Sequence, residues 1–314
     1  MVGTKVAAVA SLLAGAAVAA PQAVSIDAKK SPFTNAASSL RILYQNNLNM
    51  TDDVNHMSAI LLDPMTQPAA TAACQALGEN LLSKQVLMQY KADFLPQLSY
   101  IEYAGYTPSS ASQVFWLADN VVVQATQGGS SFTFPSAQPY IQNSDALPVL
   151  CTNLQGQAVG GNTFGYGTNP PSGTNVTVQA ASSNQYTGFR NQKAFRFNGI
   201  RYAENPGRFN YSSVTTAKNQ AFTAFEFGPQ CMQLYSSSGS EDCFFLNIQT
   251  PVLPAKGSKT NLRPVEFWIY GGGFTGGNSA GYNGDQLASR EDVVVVSVNY
   301  RLAIYGTSPL AYYL

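Results

Sequence analysis

Charge is scarce in this chain. Its 314 residues hold 17 basic and 17 acidic side chains, giving a formal net charge of zero and a charged fraction of 11%. Soluble proteins average about 25%. Zero net charge argues against binding nucleic acid through a phosphate-neutralising patch. Histidine is scarcer still, for His56 is the only one. That excludes every two-histidine metal motif and most zinc sites, and neither a metal nor a cofactor is expected. It also means that any Ser-His-Asp mechanism confined to this chain must use His56. Beside Asp52, Asp53 and Asn55, His56 reads most simply as an exposed loop or helix-start residue. Lysine and arginine are missing altogether between Lys91 and Arg190, whereas eleven fall from Arg190 to Arg301. That shift suggests two segments with different surfaces. Beyond the first 20 residues no apolar run is long enough to span a bilayer, so no transmembrane anchor is expected.

Apolar residues, by contrast, make up an ordinary 45%, enough with this length for one large domain or two modest ones. Residues 1–20 read as a secretory signal. Lys5 supplies the positive start, Val6–Ala19 is almost unbroken apolar sequence, and Ala17-Val18-Ala19 offers small residues where signal peptidase reads. The expected location is therefore extracellular. Four cysteines, an even number in an oxidising route, then read as structural disulfides. Three pairings are open; spacing favours Cys231–Cys243 as a local loop, which leaves Cys74–Cys151 as a long-range bridge. Sequons begin at Asn49, Asn175 and Asn210, and each implies an exposed loop if it carries glycan.

Residues 32–146 form an N-terminal extension of uncertain fold. Ala69–Ser83 has helical spacing, with Ala73, Leu77 and Leu81 on one face and Cys74 beside them. Phe94–Tyr103 fits either helix or strand, while Phe115–Leu117 and Val121–Val123 look like short strands. A cysteine-bearing helix, an aromatic strand and the run Leu147–Cys151 faintly resemble a C-type-lectin-like module, without the calcium ligands of that family. The alternative is an extension that packs on the domain after it. A carbohydrate-binding role for 32–146 would rest on that pattern alone.

Residues 147–314 are more legible. Gln185–Tyr202 alternates and is rich in aromatics, as strands near a domain's start are. Pro264–Tyr270 and Asp292–Val298 are short β-branched runs of the kind buried on both faces of a parallel sheet. Gly284–Glu291 between them is long enough for a short helix. Strand, glycine loop, helix and strand make the opening of an α/β fold with a right-handed crossover. The glycine loop, Tyr270-Gly271-Gly272-Gly273-Phe274, is the most informative stretch. Three glycines directly after a buried strand allow backbone N–H groups to converge where a tetrahedral oxyanion would form.

Its companions make a series: Phe197–Ala203, Gly228–Gln233, Ser240–Ile248, Phe267–Phe274 and Val295–Ile304 with Asn299-Tyr300-Arg301. In this order and spacing the sequence resembles the type-B carboxylesterase/lipase family, which includes cholinesterases and fungal esterases. The resemblance implies an incomplete α/β-hydrolase fold over 147–314, the N-terminal part of that family's catalytic domain. It implies that Gly272 and Gly273 are two oxyanion-hole donors, that Cys231–Cys243 is the family's first disulfide, and that Arg208 and Glu241 form an ion pair bracing that loop. The loop lacks the tryptophan with which cholinesterases recognise choline, which argues against a choline ester. A small-molecule or lipid ester is the substrate implied for a full-length parent.

A Gly-x-Ser-x-Gly pattern does occur, at Gly277–Gly281, but in the wrong context. A nucleophile elbow ends one strand and starts a helix. Ser279 instead follows the oxyanion glycines, and no histidine comes after it. It reads as a solvated loop serine and a decoy. Only 13 residues follow Arg301, and the family's nucleophile, acid and histidine are expected beyond that point. The expectation is thus a secreted carboxylic ester hydrolase cut before its triad and inactive alone; the alternative is a non-catalytic esterase-like binding or adhesion protein. Val293–Val298 is expected to be left with one unpaired, aggregation-prone edge, and Arg301 to lack a partner lying further along.

Overall fold

The structure, a computed structural model, describes residues 38–106, 114–125, 130–135, 141–159, 170, 172–234, 236, 238–258 and 262–306. The signal expected over 1–20 lies outside them. Strands β1 (Leu40–Leu43) and β2 (Ala59–Met65) are followed by helices α1 (Gln67–Ala76), α2 (Lys84–Gln89) and α3 (Lys91–Tyr103). Then come β3 (Val114–Trp116), β4 (Val122–Gln124), β5 (Leu147–Thr152) and α4 (Leu154–Val159). The remaining elements are β6 (Asn175–Gln179), β7 (Gln185–Arg190), β8 (Phe195–Arg201), β9 (Ala221–Thr223), β10 (Phe245–Thr250), β11 (Val252–Leu253), β12 (Val265–Trp268), α5 (Asp285–Glu291) and β13 (Val294–Val298). One sheet runs β11-β1-β2-β5-β3-β4; the other runs β12-β13-β10-β8-β7-β6, with β9 beside β7.

The first sheet is apolar on both faces because neighbouring residues of each strand point to opposite sides. Leu43, Ala59, Leu61, Phe115 and Leu150 pack against Leu87 of α2 and Phe94, Leu98 and Ile101 of α3. Leu40, Ile42, Ile60, Leu62 and Trp116 pack on Ala70 and Cys74 of α1 and on Val176, Phe195 and Phe197 of the second sheet. The Cys74–Cys151 disulfide staples α1 to β5. Helix α1 stops at Ala76, short of the expected Ser83, because Gly78 adopts φ 72° and the chain turns there, with Glu79 N–H donating to the Cys74 carbonyl.

The expected division at residue 147 does not coincide with the sheets. β5 lies between β2 and β3, and β11 pairs with β1, so the first sheet borrows strands from both sides of that line. The apolar run 147–151 finds its partners among the earlier strands. A second departure concerns the parallel pair. Val265 to Trp268 run alongside Val294 to Ser297, with α5 in the connection, as an α/β unit requires. Yet all four β12 residues are exposed rather than buried on both faces. β13 is paired on both sides, by β10 and β12. The apolar edge expected at 293–298 therefore falls on β12, where Val265, Phe267, Trp268 and Ile269 face solvent.

Three fully buried cations each have a carboxylate of their own. Arg190 meets Glu79 at 2.8 Å, Lys193 meets Asp53 at 2.5 Å, and Arg196 meets Asp285 at 3.0 Å. Glu79 also accepts Leu154 N–H, Gln155 N–H and the Thr152 hydroxyl, so one carboxylate ties α4 and β5 to β7. Buried charges persist only when paired and hydrogen-bonded in this way. Among the described residues no helix is long and apolar enough to cross a membrane.

Candidate active site

The site is a loop between two strand ends. β12 delivers Tyr270 and the three glycines, and β13 delivers Asn299, Tyr300 and Arg301. The two tyrosines hold the ends together. Their rings stack at 4.3 Å, Tyr270 donates its hydroxyl to the Tyr300 carbonyl at 3.0 Å, and Tyr300 returns a hydrogen bond to the Tyr270 carbonyl. Burial pushes the Tyr270 phenol up to about 12, so it remains a donor at neutral pH.

From there the chain takes a path that side chains would block. Gly272 has φ +141°, and a Cβ on it would sit 1.9 Å from the Gly276 carbonyl oxygen. Gly277 has φ +125°, and a Cβ there would strike the Tyr270 ring at 2.5 Å. Glycine alone fits both places. The turn closes through Thr275 N–H and Gly276 N–H, both donating to the Gly272 carbonyl. Among the described residues the N–H groups of Gly272 and Gly273 donate to no protein acceptor, and both glycines are exposed. Two neighbouring amide donors thus remain available on a fixed loop.

What fixes it is the adjoining disulfide loop. Gln233 clasps Gly277 twice, accepting its N–H at 3.0 Å and donating to its carbonyl at 2.8 Å. Gln230 accepts from the Asn278 amide at 3.2 Å. Between these glutamines sits Cys231, joined to Cys243. In the sequence the only sign of this role is the place of the two glutamines on either side of a cysteine. Asn299 braces the loop from the other side. Its side chain accepts Ser279 N–H at 2.8 Å and donates to the Pro229 carbonyl at 3.0 Å.

Ser279 is not the solvated residue expected. It is buried in a one-turn 3₁₀ helix, Ser279–Gly281, where its hydroxyl accepts from Asn247 at 3.0 Å. No imidazole or carboxylate reaches it among its hydrogen bonds. His56 is held elsewhere and is more enclosed than an exposed loop residue. Its Nδ1 lies 2.7 Å from Asp93 and its Nε2 3.1 Å from Asp52. Burial pulls the imidazole pKa down, but the bonds and charges of Asp93 and Asp52 outweigh it and hold the value above the ordinary 6.5. The structure brings His56 and Ser279 into no common site.

Arg208 does meet Glu241, at 2.5 Å, but Arg208 is half exposed, and exposed pairs contribute about 0–1 kcal/mol. The more enclosed pair, unremarked in the sequence, is Arg201 with Asp242, two bonds of 2.7 Å each. Arg301 has partners nearby after all, donating to the carbonyls of Gly207 and Asn210. Of the three sequons, those at Asn49 and Asn210 are exposed. Asn175 instead lies in β6, where Val176 and Thr177 are buried, so it is no exposed loop.

Comparison with known proteins places this loop in context. The sequence profile described as "Carboxylesterase family" matches residues 179–308. Acetylcholinesterase-1 of Trittame loki is 39% identical over 127 residues, covering 36% of this chain and 22% of that protein. Liver carboxylesterase B-1 of Rattus norvegicus is 49% identical over 67 residues, covering 21% and 11%. Among solved structures, carboxylesterase EST55 of Geobacillus stearothermophilus aligns with a TM-score of 0.37 and 36% identity, over 41% of this chain and 27% of that one. The chain thus spans less than a quarter of the length of these curated relatives. Residues 179–308, the segment that carries the glycine loop and its braces, are similar to the carboxylesterase family.

Proposed function

We propose that the Gly271–Phe274 loop is the oxyanion-binding part of a secreted carboxylic ester hydrolase of the serine type. The observation that carries this reading is the pair of uncommitted N–H groups on Gly272 and Gly273, preorganised by the Tyr270–Tyr300 brace and the Gln233 clasp. Donors fixed in advance stabilise the charge that develops on an ester carbonyl without reorganising during the reaction. The ester is a small molecule or lipid. In the full mechanism a serine attacks the carbonyl, an acyl-enzyme forms with release of the alcohol, and water then releases the acid. Within this chain the only histidine is engaged by Asp93 and Asp52, and Ser279 is buried on Asn247. The 314-residue chain by itself therefore binds an acyl group and does not turn it over. Secretion is supported by the N-terminal pattern and by two disulfides among the described residues; glycans on Asn49 and Asn210 would suit their exposure.

The test is amide NMR during titration with butyrate, a carboxylate standing in for the oxyanion. The Gly272 and Gly273 amide protons should shift downfield together; unmoved resonances at saturating butyrate would refute the reading. A fluorophosphonate probe should leave the chain unlabelled, and stoichiometric labelling of Ser279 would overturn the claim of inactivity. The second reading, a non-catalytic binding protein, draws on the exposed apolar side chains of β12 and Ile269. It predicts a stable complex with a protein partner and no response at the two glycine amides.

A further inference from the structure

A cavity of about 220 Å³ lies on the opposite flank of β10 from β13, among β7, β8, β9 and the loop from Glu204 to Gln220, and shares no lining residue with the glycine loop. Its walls include the rings of Tyr186, Phe222 and Phe245. Tyr186 and Phe222 stack at 5.4 Å with their planes 18° apart, so they form one paired aromatic wall of the cavity. Arg201 and Glu204 are the charged residues of the lining.

These two charges are not equivalent. Arg201 is committed: both its terminal nitrogens bond Asp242 at 2.7 Å, and its guanidinium lies 4.5 Å over the Phe245 ring. Glu204 makes no ion pair among the described residues; it accepts one hydrogen bond, from Thr216 N–H at 3.3 Å. Lys218, in the same loop, is exposed and does not line the cavity. Arg201, Asp242 and Glu204 together therefore leave one negative charge beside aromatic walls. Ring faces attract cations, and a carboxylate completes the attraction. A neutral or anionic ligand would gain from the rings alone or be repelled by Glu204. The volume sets the size, since a cavity of about 150 Å³ admits benzene.

We propose that this cavity binds an organic ammonium ion with a small apolar body, its cationic head on Glu204 and its apolar part against Tyr186 and Phe222. Isothermal titration of the 314-residue chain with phenethylamine, set against the uncharged 2-phenylethanol, tests this. The amine should bind with one-to-one stoichiometry and at least about tenfold more tightly than the alcohol. Glu204→Gln should remove that preference while leaving alcohol binding unchanged, and Phe222→Ala should weaken both probes. Equal binding of the two probes, or no saturable binding of the amine up to about 10 mM, would overturn the proposal. The comparison of probes needs no variant, so it stands even if Glu204→Gln fails to fold. Retained preference in a folded Glu204→Gln variant would also overturn it. Butyrate titration of the glycine amides reads the other site separately.

Discussion

Removing the Glu79 carboxylate should be among the most damaging single changes in this protein. Glu79 Oε1 accepts from Arg190 and Gln155 N–H, and Oε2 from the Thr152 hydroxyl and Leu154 N–H. Glu79 and Arg190 are each 1% exposed at the side chain, so Glu79→Ala leaves a guanidinium with no counterion and no route to water. Burial already pulls the Arg190 pKa below its usual value, and Glu79 opposes that pull. Breaking a buried pair by deleting one partner costs about 3–5 kcal/mol. The α4 amides add little, because Leu154 and Gln155 are exposed and recover water. About 4 kcal/mol is then the expected loss, a large part of the 5–15 kcal/mol that holds a typical domain. Glu79→Gln should cost about as much, because the amide also leaves Arg190 without a counterion and turns N–H groups toward two donors. Urea unfolding followed by the fluorescence of fully buried Trp116 measures these losses. A double-mutant cycle with Arg190→Met isolates the pair, since Glu79→Ala/Arg190→Met removes the orphaned charge and should recover about 2 kcal/mol. A loss below about 1 kcal/mol for Glu79→Ala, or costs that simply add, would refute the reasoning.

Other consequences are equally open to measurement. The Cys74–Cys151 link spans 77 residues and Cys231–Cys243 spans 12, so chain-entropy arguments give losses of about 4.5 and about 3 kcal/mol for their removal. Paired Cys→Ala variants under urea would show the reverse order if that account is wrong. His56, with its pKa raised in the folded state, contributes stability that is fully present below its unfolded value of about 6.5 and lost as pH rises through the folded value. Melting temperatures from pH 6 upward should therefore fall more in the wild type than in His56→Gln; parallel curves would contradict the pairing with Asp93 and Asp52. Phe267→Lys on the exposed β12 edge should reduce self-association in light scattering without lowering the melting temperature. Unchanged scattering would show that this edge is not the point of contact.

How much of this was legible beforehand depends on the distance over which each feature is encoded. The glycine loop is local. A β-branched strand, three glycines, a short helix and a second strand follow one another within about 35 residues, and each has its own sequence sign. The tyrosine brace was half visible, since Tyr270 and Tyr300 sit in the quoted motifs, but only the fold stacks them. The edge exposure of β12 was not legible. A β-branched run signals a strand, and its neighbours decide whether that strand is covered. Ser279 failed for the converse reason: the pattern around it fitted a nucleophile, while its burial against Asn247 could be read only from packing.

The buried ion pairs were invisible because their partners are remote. Arg190, Lys193 and Arg196 find carboxylates 111, 140 and 89 residues away. No periodicity or motif reports such a pairing. Yet it decides what the part of the chain before residue 179 contributes. Arg196 is neutralised by Asp285, inside the segment that matches the carboxylesterase profile, whereas Arg190 and Lys193 depend on Glu79 and Asp53, outside it. Residues 179–308 alone would bury two cations without counterions, and each such charge costs several kcal/mol. Phe195 and Phe197 would also lose the first-sheet face they pack on. The part of the chain before residue 179 therefore shares a core and two ion pairs with the matched segment. It supplies the opposite charges and the apolar face without which the segment that presents Gly272 and Gly273 has no stable sheet to stand on.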